Sequence, residues 1–187
     1  QNRMKEVAIH NEDKDQIKEI NKEIKKIDNE VKNVDEVKLT DNEQYALNKY
    51  MGFESYTYNE KLRNDISLDE NETKILNNLD KALDKMPKYE NTVTRSVSIS
   101  SDDINYFLKD YKEGYVIQYK AYMSTTKGDI YNPDARVQMA IKSKNGRDIS
   151  KYNKEEQEIL FKRNSKFNVI KVDTSDDFYV RIELEEV

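Results

Sequence analysis

The 187-residue chain has no cysteine and a single histidine, His10. The first absence removes thiol nucleophiles, thiolate metal sites and disulfides. A cysteine-free chain suits a reducing compartment, or a secreted protein that needs no disulfide staples. The second absence leaves any histidine-based triad dependent on His10, which lies in a polar leader. Glycine is also scarce. The four glycines stand at 52, 114, 128 and 146, and none forms a G-x-G-x-x-G turn. A pyrophosphate would therefore have to be held by side chains rather than by a glycine-rich turn at a helix N-terminus. No apolar run approaches the ~18 residues of a membrane span. The net charge is −5 with both signs interspersed, and no basic patch is interleaved with aromatics, so nucleic acid is not an expected partner. No metal site is expected. The chain begins at Gln1 without a signal peptide, which reads as a processed or trimmed chain and says little about targeting.

What is abundant is charge, at 37%, against 36% apolar residues that include thirteen tyrosines. The core is expected to be lean and to use tyrosine, which combines apolar area with a polar tip. The length fits one domain with an appendage. Residues 12–38 read as an amphipathic helix, with Ile17, Ile20, Ile24, Ile27, Val31 and Val34 at spacings of three and four. The stripe is too short for a coiled coil and is expected to lie on the domain behind it or on a preceding domain. The expected division is a leader over 1–40 and a domain over 41–187.

Within the domain, Asp41 is expected to open a helix, with Gln44 as its box partner and Gly52 as its stop. The segment FESYTYNEKLRNDI should form a short helix. Asp69 and Glu72 should box the next one, whose stripe is Ile75, Leu76, Leu79, Leu83 and Met86 before Pro87. The period then changes. TVTRSVSI over 92–99 has strand composition, a short helix capped by Ser101 follows, and strands are expected over 115–125, 136–142, 158–161, 167–172 and 178–184. Helices first and strands later predict an α+β fold, mostly antiparallel.

Three polar marks fall on the strands. Arg95 lies mid-strand between valines, which suits a snorkelling edge residue or a buried anion clamp. Ser124, Thr125 and Thr126 end a strand, as in an ordinary strand-to-loop transition. Glu155, Glu156, Gln157 and Glu158 run straight into Ile159, Leu160 and Phe161. An acidic run is commonly a solvated loop, but an acid at the first residue of an apolar strand sits at a sheet rim, where clefts form. On an extended segment Glu156 and Glu158 would share a face, and Glu155 would point away with Gln157.

Taken in order, Arg95, Ser124-Thr125-Thr126 and Glu156-x-Glu158 resemble the R-S-E pattern of mono-ADP-ribosyltransferase toxins. The flanks are similar too, in KGDIYNPDA after the hydroxyls, GRDIS and Tyr152 before the glutamates, and FKRNSKFNVI after them. The likeness spans about residues 41–187. Here Arg95-Ser96 stands where the family has Arg-Arg or Arg-Gly, S-T-T replaces S-T-S, and the Tyr-to-Asn helix is compressed.

The resemblance implies a core of two mostly antiparallel sheets under N-terminal helices, with a cleft for NAD as substrate. It implies that Arg95 holds the pyrophosphate. Arg136, just past the long loop, is a second candidate for that task and reads equally as a strand-face arginine. Asn59, with Tyr56 or Tyr58, would help hold NAD. Ser124 would orient Glu158, and Thr126 would shape the nicotinamide pocket. Glu158 would face the oxocarbenium-like ribose, and Glu156 with Tyr152 would meet the target. In the family E-x-E goes with an arginine acceptor and Q-x-E with asparagine, so arginine is expected here. The implied setting is a secreted bacterial virulence toxin acting in the host cytosol. Its partner would be a host protein such as actin or a small GTPase, and a translocation or binding domain would precede it. Two other readings stay open, an NAD glycohydrolase and a non-catalytic module of a larger toxin or phage particle.

Overall fold

A computed structural model of the chain describes residues 18–23 and 37–187. The chain divides into two compact units, residues 1–38 and 39–187. In the first, residues 18–23 are helical, and residues 37 and 38 are not. The remainder of the helix expected over 12–38, with His10 before it, lies outside the described residues.

The second unit opens with helices α1 (Asp41–Met51), α2 (Glu54–Arg63) and α3 (Glu70–Lys85). The α1 cap is Thr40 with Glu43, one residue ahead of the expected Asp41 and Gln44. Glu43 N donates to Thr40 Oγ1 at 3.3 Å, and Thr40 N donates to Glu43 Oε2 at 2.8 Å. Both Thr-x-x-Glu and Asp-x-x-Gln fit the capping pattern. Tertiary structure selects the first, because Glu43 is buried and takes Lys85 of α3 at 2.6 Å. Asp69 and Glu72 form the second box as expected. Ile75, Leu76, Leu79, Ala82 and Leu83 of α3 are buried, and each large apolar side chain contributes about 1.5–3 kcal/mol.

The strands are β1 (Lys88–Tyr89), β2 (Thr92–Val97), β3 (Val116–Tyr119), β4 (Met123–Thr126), β5 (Val137–Lys142), β6 (Gly146–Asp148), β7 (Glu158–Phe161), β8 (Ser165–Asp173) and β9 (Val180–Glu186), with a short helix α4 (Ile104–Leu108) after β2. The fold is α+β. In place of two separate sheets, hydrogen bonding joins all nine strands in the order β1-β6-β7-β4-β2-β5-β9-β8-β3. The two halves meet at one residue pair, Thr94 opposite Thr126. All pairings are antiparallel except β5 with β9.

The strand expected over 115–125 is broken. Its first part, β3, pairs with β8 in one half, and its second part, β4, pairs with β7 in the other. A segment that serves both halves has to bend between them. Tyr122, at the bend, is buried. Its hydroxyl donates to Asp80 Oδ1 of α3 at 2.6 Å, and its ring meets Tyr50 of α1 edge-on at 5.1 Å. The helices are thereby pinned over the seam. Strands β1 and β6 are too short to read from periodicity. The core includes Val93, Met123, Met139, Ile141, Ile159, Phe161, Phe167, Ile182 and Leu184. Among the described residues no helix is long and apolar enough to cross a membrane.

Candidate active site

A cleft of about 840 Å³ opens along the seam, lined by α1, α2, β2, β4 and the turn before β7. That volume suits a small-molecule ligand. Strand β2 supplies Arg95, β4 supplies Ser124 and Thr126, and β7 supplies Glu158. The antiparallel register sets Thr126 opposite Glu158, and Ser124, two residues along β4, shares the Thr126 face. Arg95 crosses the seam, its Nη1 donating to the Ser124 carbonyl at 2.6 Å. One edge of the guanidinium is thus anchored on protein while the side chain still lines the cleft.

The glutamates converge by a route other than strand alternation. Residues 154–157 form a turn, and the strand begins only at Glu158. Gln157 has φ 45°, a left-handed conformation uncommon outside glycine. The turn carries Glu156 and Glu158 to one side chain, Asn153. Its Nδ2 donates to Glu156 Oε2 at 3.2 Å and to Glu158 Oε2 at 2.9 Å. Glu155 is exposed and does not line the cleft. The turn is tied down by Thr126, whose hydroxyl donates to the Glu156 carbonyl at 2.7 Å and accepts from Gly128 N at 3.0 Å.

Glu158 is 4% exposed. Burial is the largest influence and pushes its pKa up. The Ser124 hydroxyl and the Asn153 amide pull it back, the Glu156 charge raises it, and Arg95 lowers it, leaving it above the ordinary 4.5. A carboxylate kept partly desolvated beside a fixed cation interacts strongly with any positive charge that develops in front of it.

Of the other expected residues, Tyr56 lines the cleft and is 73% exposed, whereas Tyr58 is buried. Asn59 lines the cleft, but its amide is committed, donating to the Tyr50 hydroxyl at 2.9 Å and accepting from Tyr122 N at 3.1 Å. It braces α2 against α1 and the bend before β4. Arg136 is not brought into the cleft. It donates to Ser101 Oγ at 2.8 Å and lies over the Phe178 ring, because it precedes β5 on the side that pairs with β9. Tyr152 is half-buried beside Asn153 and is not a lining residue.

Sequence reasoning missed Asn153, Tyr50, Phe53, Arg63 and Tyr131, all of which line the cleft. Arg63 carried a readable signal as a cation one turn beyond Asn59 on the same helix. Asn153 carried none, since its reach depends on the left-handed turn. Chemically, the cleft joins guanidinium groups, Arg95 and Arg63, to a carboxylate pair. That arrangement suits a ligand with a phosphate part and a part that becomes cationic during reaction.

The family model described as ADP-ribosyltransferase exoenzyme matches residues 28–186. A protein of Mycobacterium avium (strain 104), provisionally named NAD(+)–arginine ADP-ribosyltransferase Mav, is 37% identical over 98 residues, which is 49% of this chain and 11% of that protein. The chain therefore spans only a small part of that relative's length. Among solved structures, the Clostridium limosum C3 exoenzyme aligns with a TM-score of 0.65 at 18% identity, covering 81% of this chain and 87% of that one. Exoenzyme S from Pseudomonas aeruginosa, solved with Carba-NAD and human 14-3-3 protein beta, aligns at 0.64 and 23%, covering 80% and 75%. The Vis toxin of Vibrio splendidus aligns at 0.62 and 24%, covering 80% and 74%. At these identities the structures speak for a shared fold.

Proposed function

The chain belongs to the ADP-ribosyltransferase exoenzyme family, and from that premise we propose that it cleaves NAD and transfers the ADP-ribose to an arginine of a protein. The observation that carries this reading is the convergence of Glu156 and Glu158 on one amide, in the cleft that Arg95 also lines.

In the reaction the bond between ribose and nicotinamide breaks, and its electron pair leaves with nicotinamide. Positive charge builds on the ribose as in glycoside hydrolysis. Glu158 faces that charge and stabilises it more than it stabilises bound NAD. Ser124 and Asn153 hold the carboxylate in place. Glu156 takes the incoming guanidinium and sets one nitrogen toward the ribose carbon. The arginine nitrogen forms the new bond and sheds a proton. Arg95, with Arg63 beside the same cleft, supplies the cations for the pyrophosphate. Thr126 shapes the nicotinamide end through the turn that it anchors. Tyr56 offers an exposed ring at the rim, Asn59 keeps α2 in place, and Tyr152 flanks the acceptor side. Arg136 has no part in this reading, because its guanidinium is occupied outside the cleft.

The acceptor is a protein of another cell, reached after secretion. Actin and Rho-type GTPases are the acceptors that the resemblance offers, and the fold does not choose between them. The test is incubation with NAD, with and without a cell lysate, scoring nicotinamide and ADP-ribosylated peptides by mass spectrometry. Arginine-linked adducts support the reading. Nicotinamide release that ignores lysate points to a glycohydrolase, and the absence of both overturns the enzyme.

Arg95→Ala is expected to weaken NAD binding by about 1.5–3 kcal/mol, the range for hydrogen bonds to a charged partner. That is roughly ten- to 150-fold at 1.36 kcal/mol per decade. Arg95→Lys should also lose affinity, since an ammonium cannot hold the Ser124 carbonyl and present a flat fork to phosphate together. Calorimetry on the folded variants measures both, and an unchanged affinity removes Arg95 from the role.

The leader is proposed to be a separate module, dispensable for NAD cleavage. A chain starting at Leu39 should release nicotinamide at the native rate. Starting at Asp41 instead deletes the Thr40 cap and should lower stability by about 1 kcal/mol. Loss of nicotinamide release from a folded 39–187 chain would show that the leader supports the cleft.

A further inference from the structure

We propose that Asn153 is a positioning residue for this reaction, and that its single amide nitrogen clamps the Glu156 and Glu158 carboxyl groups together. The proposal rests on the transferase reading above and concerns a side chain that lies outside the arginine, hydroxyl and glutamate marks of the motif.

The geometry is specific. An amide nitrogen carries two hydrogens, and Asn153 Nδ2 has one carboxylate oxygen at 2.9 Å and another at 3.2 Å. Its orientation follows from chemistry, because the carbonyl end would repel both carboxylates. The clamp is built into the same turn that carries the glutamates. Asn153 N donates to the Ile149 carbonyl at 3.1 Å, and Ile149 N donates to the Glu158 carbonyl at 3.1 Å. Ile149 is fully buried, so donor and acceptors are fixed relative to one another before any ligand arrives.

The choice of an amide has a physical reason. Two carboxylates held close in a partly dry cleft repel, and one responds by taking a proton. A lysine or arginine between them would relieve the repulsion but would also cancel the negative charge that the ribose needs. A neutral double donor relieves it without cancelling it. Serine could serve only one carboxylate, and aspartate neither. The other groups that face Glu158 do not replace the clamp. Arg95 comes from β2 and is anchored on the Ser124 carbonyl. Ser124 on β4 offers one hydroxyl, and Tyr50 on α1 is a buried phenol kept neutral by its burial. Glu156 itself is the repelling charge.

Asn153→Ala should therefore make Glu158 easier to protonate. In carboxyl-labelled protein, the Glu158 titration midpoint seen by NMR should move up by about one pH unit, the size expected for losing one hydrogen bond to a charged group. The acid limb of nicotinamide release should move up with it. At neutral pH kcat should fall about tenfold, with KM for NAD within about twofold. Asn153→Asp keeps the shape but inverts the donor, so it should be at least as impaired as the alanine variant. If Asn153 only fills space in the turn, Asn153→Asp will keep the native rate and the Glu158 midpoint of the alanine variant will be native, and the proposal falls. The midpoint is read without turnover. A native protein that releases no nicotinamide would therefore defeat the enzyme reading while the titration still decides the clamp.

Discussion

Glu158→Gln is expected to lower kcat for nicotinamide release by about 10²–10³-fold, with transfer lost in parallel, while the protein melts at or above the native temperature. The catalytic loss follows from removing the fixed charge opposite the developing oxocarbenium, a contribution of the size found for other preorganised electrostatic groups. The stability effect follows from the sign of the pKa shift. Glu158 sits above its ordinary 4.5 in the folded chain, chiefly through burial. A carboxyl whose folded pKa is raised stabilises the fold below its unfolded pKa, and that contribution is lost as pH rises through the folded value. At neutral pH the ionised side chain therefore costs stability, and glutamine removes the cost while still accepting from Asn153. Melting curves of both proteins at pH 4 and pH 8 check this. The advantage of the variant should appear only at the higher pH. A variant that melts well below native at pH 8 would mean that Glu158 is a structural residue.

The second large effect is expected at Glu156, where glutamine should separate two activities that Glu158→Gln removes together. Glu156 is half-buried at the cleft and shares the Asn153 amide. Glutamine keeps an oxygen for that bond, so the turn should hold and nicotinamide release into water should stay within about threefold of native. Transfer to arginine should fall by at least about 10²-fold, because a neutral amide cannot take a guanidinium bidentately or aim its nitrogen at the ribose. Nicotinamide and labelled arginine peptides measured in one reaction give the ratio directly. If Glu156→Gln labels arginine at the native rate, the acceptor assignment is wrong even where the enzyme class is right. If both activities fall together, Glu156 serves bond breaking rather than the acceptor.

Most of the secondary structure was legible in the sequence for local reasons. The α3 stripe from Ile75 to Leu83 with its Asp69–Glu72 box, the glutamate-to-apolar start of β7, and the alternation of β9 are patterns that a short segment carries by itself. The α1 cap shows the limit of such patterns. Thr40–Glu43 and Asp41–Gln44 are equally acceptable locally, and the buried pair of Glu43 with Lys85 decides between them. The strand over 115–125 shows the same limit, since its bend answers to partners that are distant in the chain.

The sequence by itself determined the order of the elements and the chemical kinds at three marks, a guanidinium at 95, hydroxyls at 124 and 126, and carboxylates at 156 and 158. Periodicity and residue chemistry are properties of neighbours in the chain, so they can be read there. Only the tertiary structure decided which of those groups meet. Arg95 reaches Ser124 because β2 and β4 join at a single bridge, whereas Arg136, the second candidate in sequence, is drawn away by Ser101 and Phe178. Glu156 and Glu158 converge through a left-handed turn at Gln157 rather than through strand alternation, and that turn admits Asn153 between them. A backbone reversal of this kind is fixed by the contacts that hold its ends, here Thr126 on Glu156 and Ile149 on Glu158, and those contacts exist only once distant strands have paired.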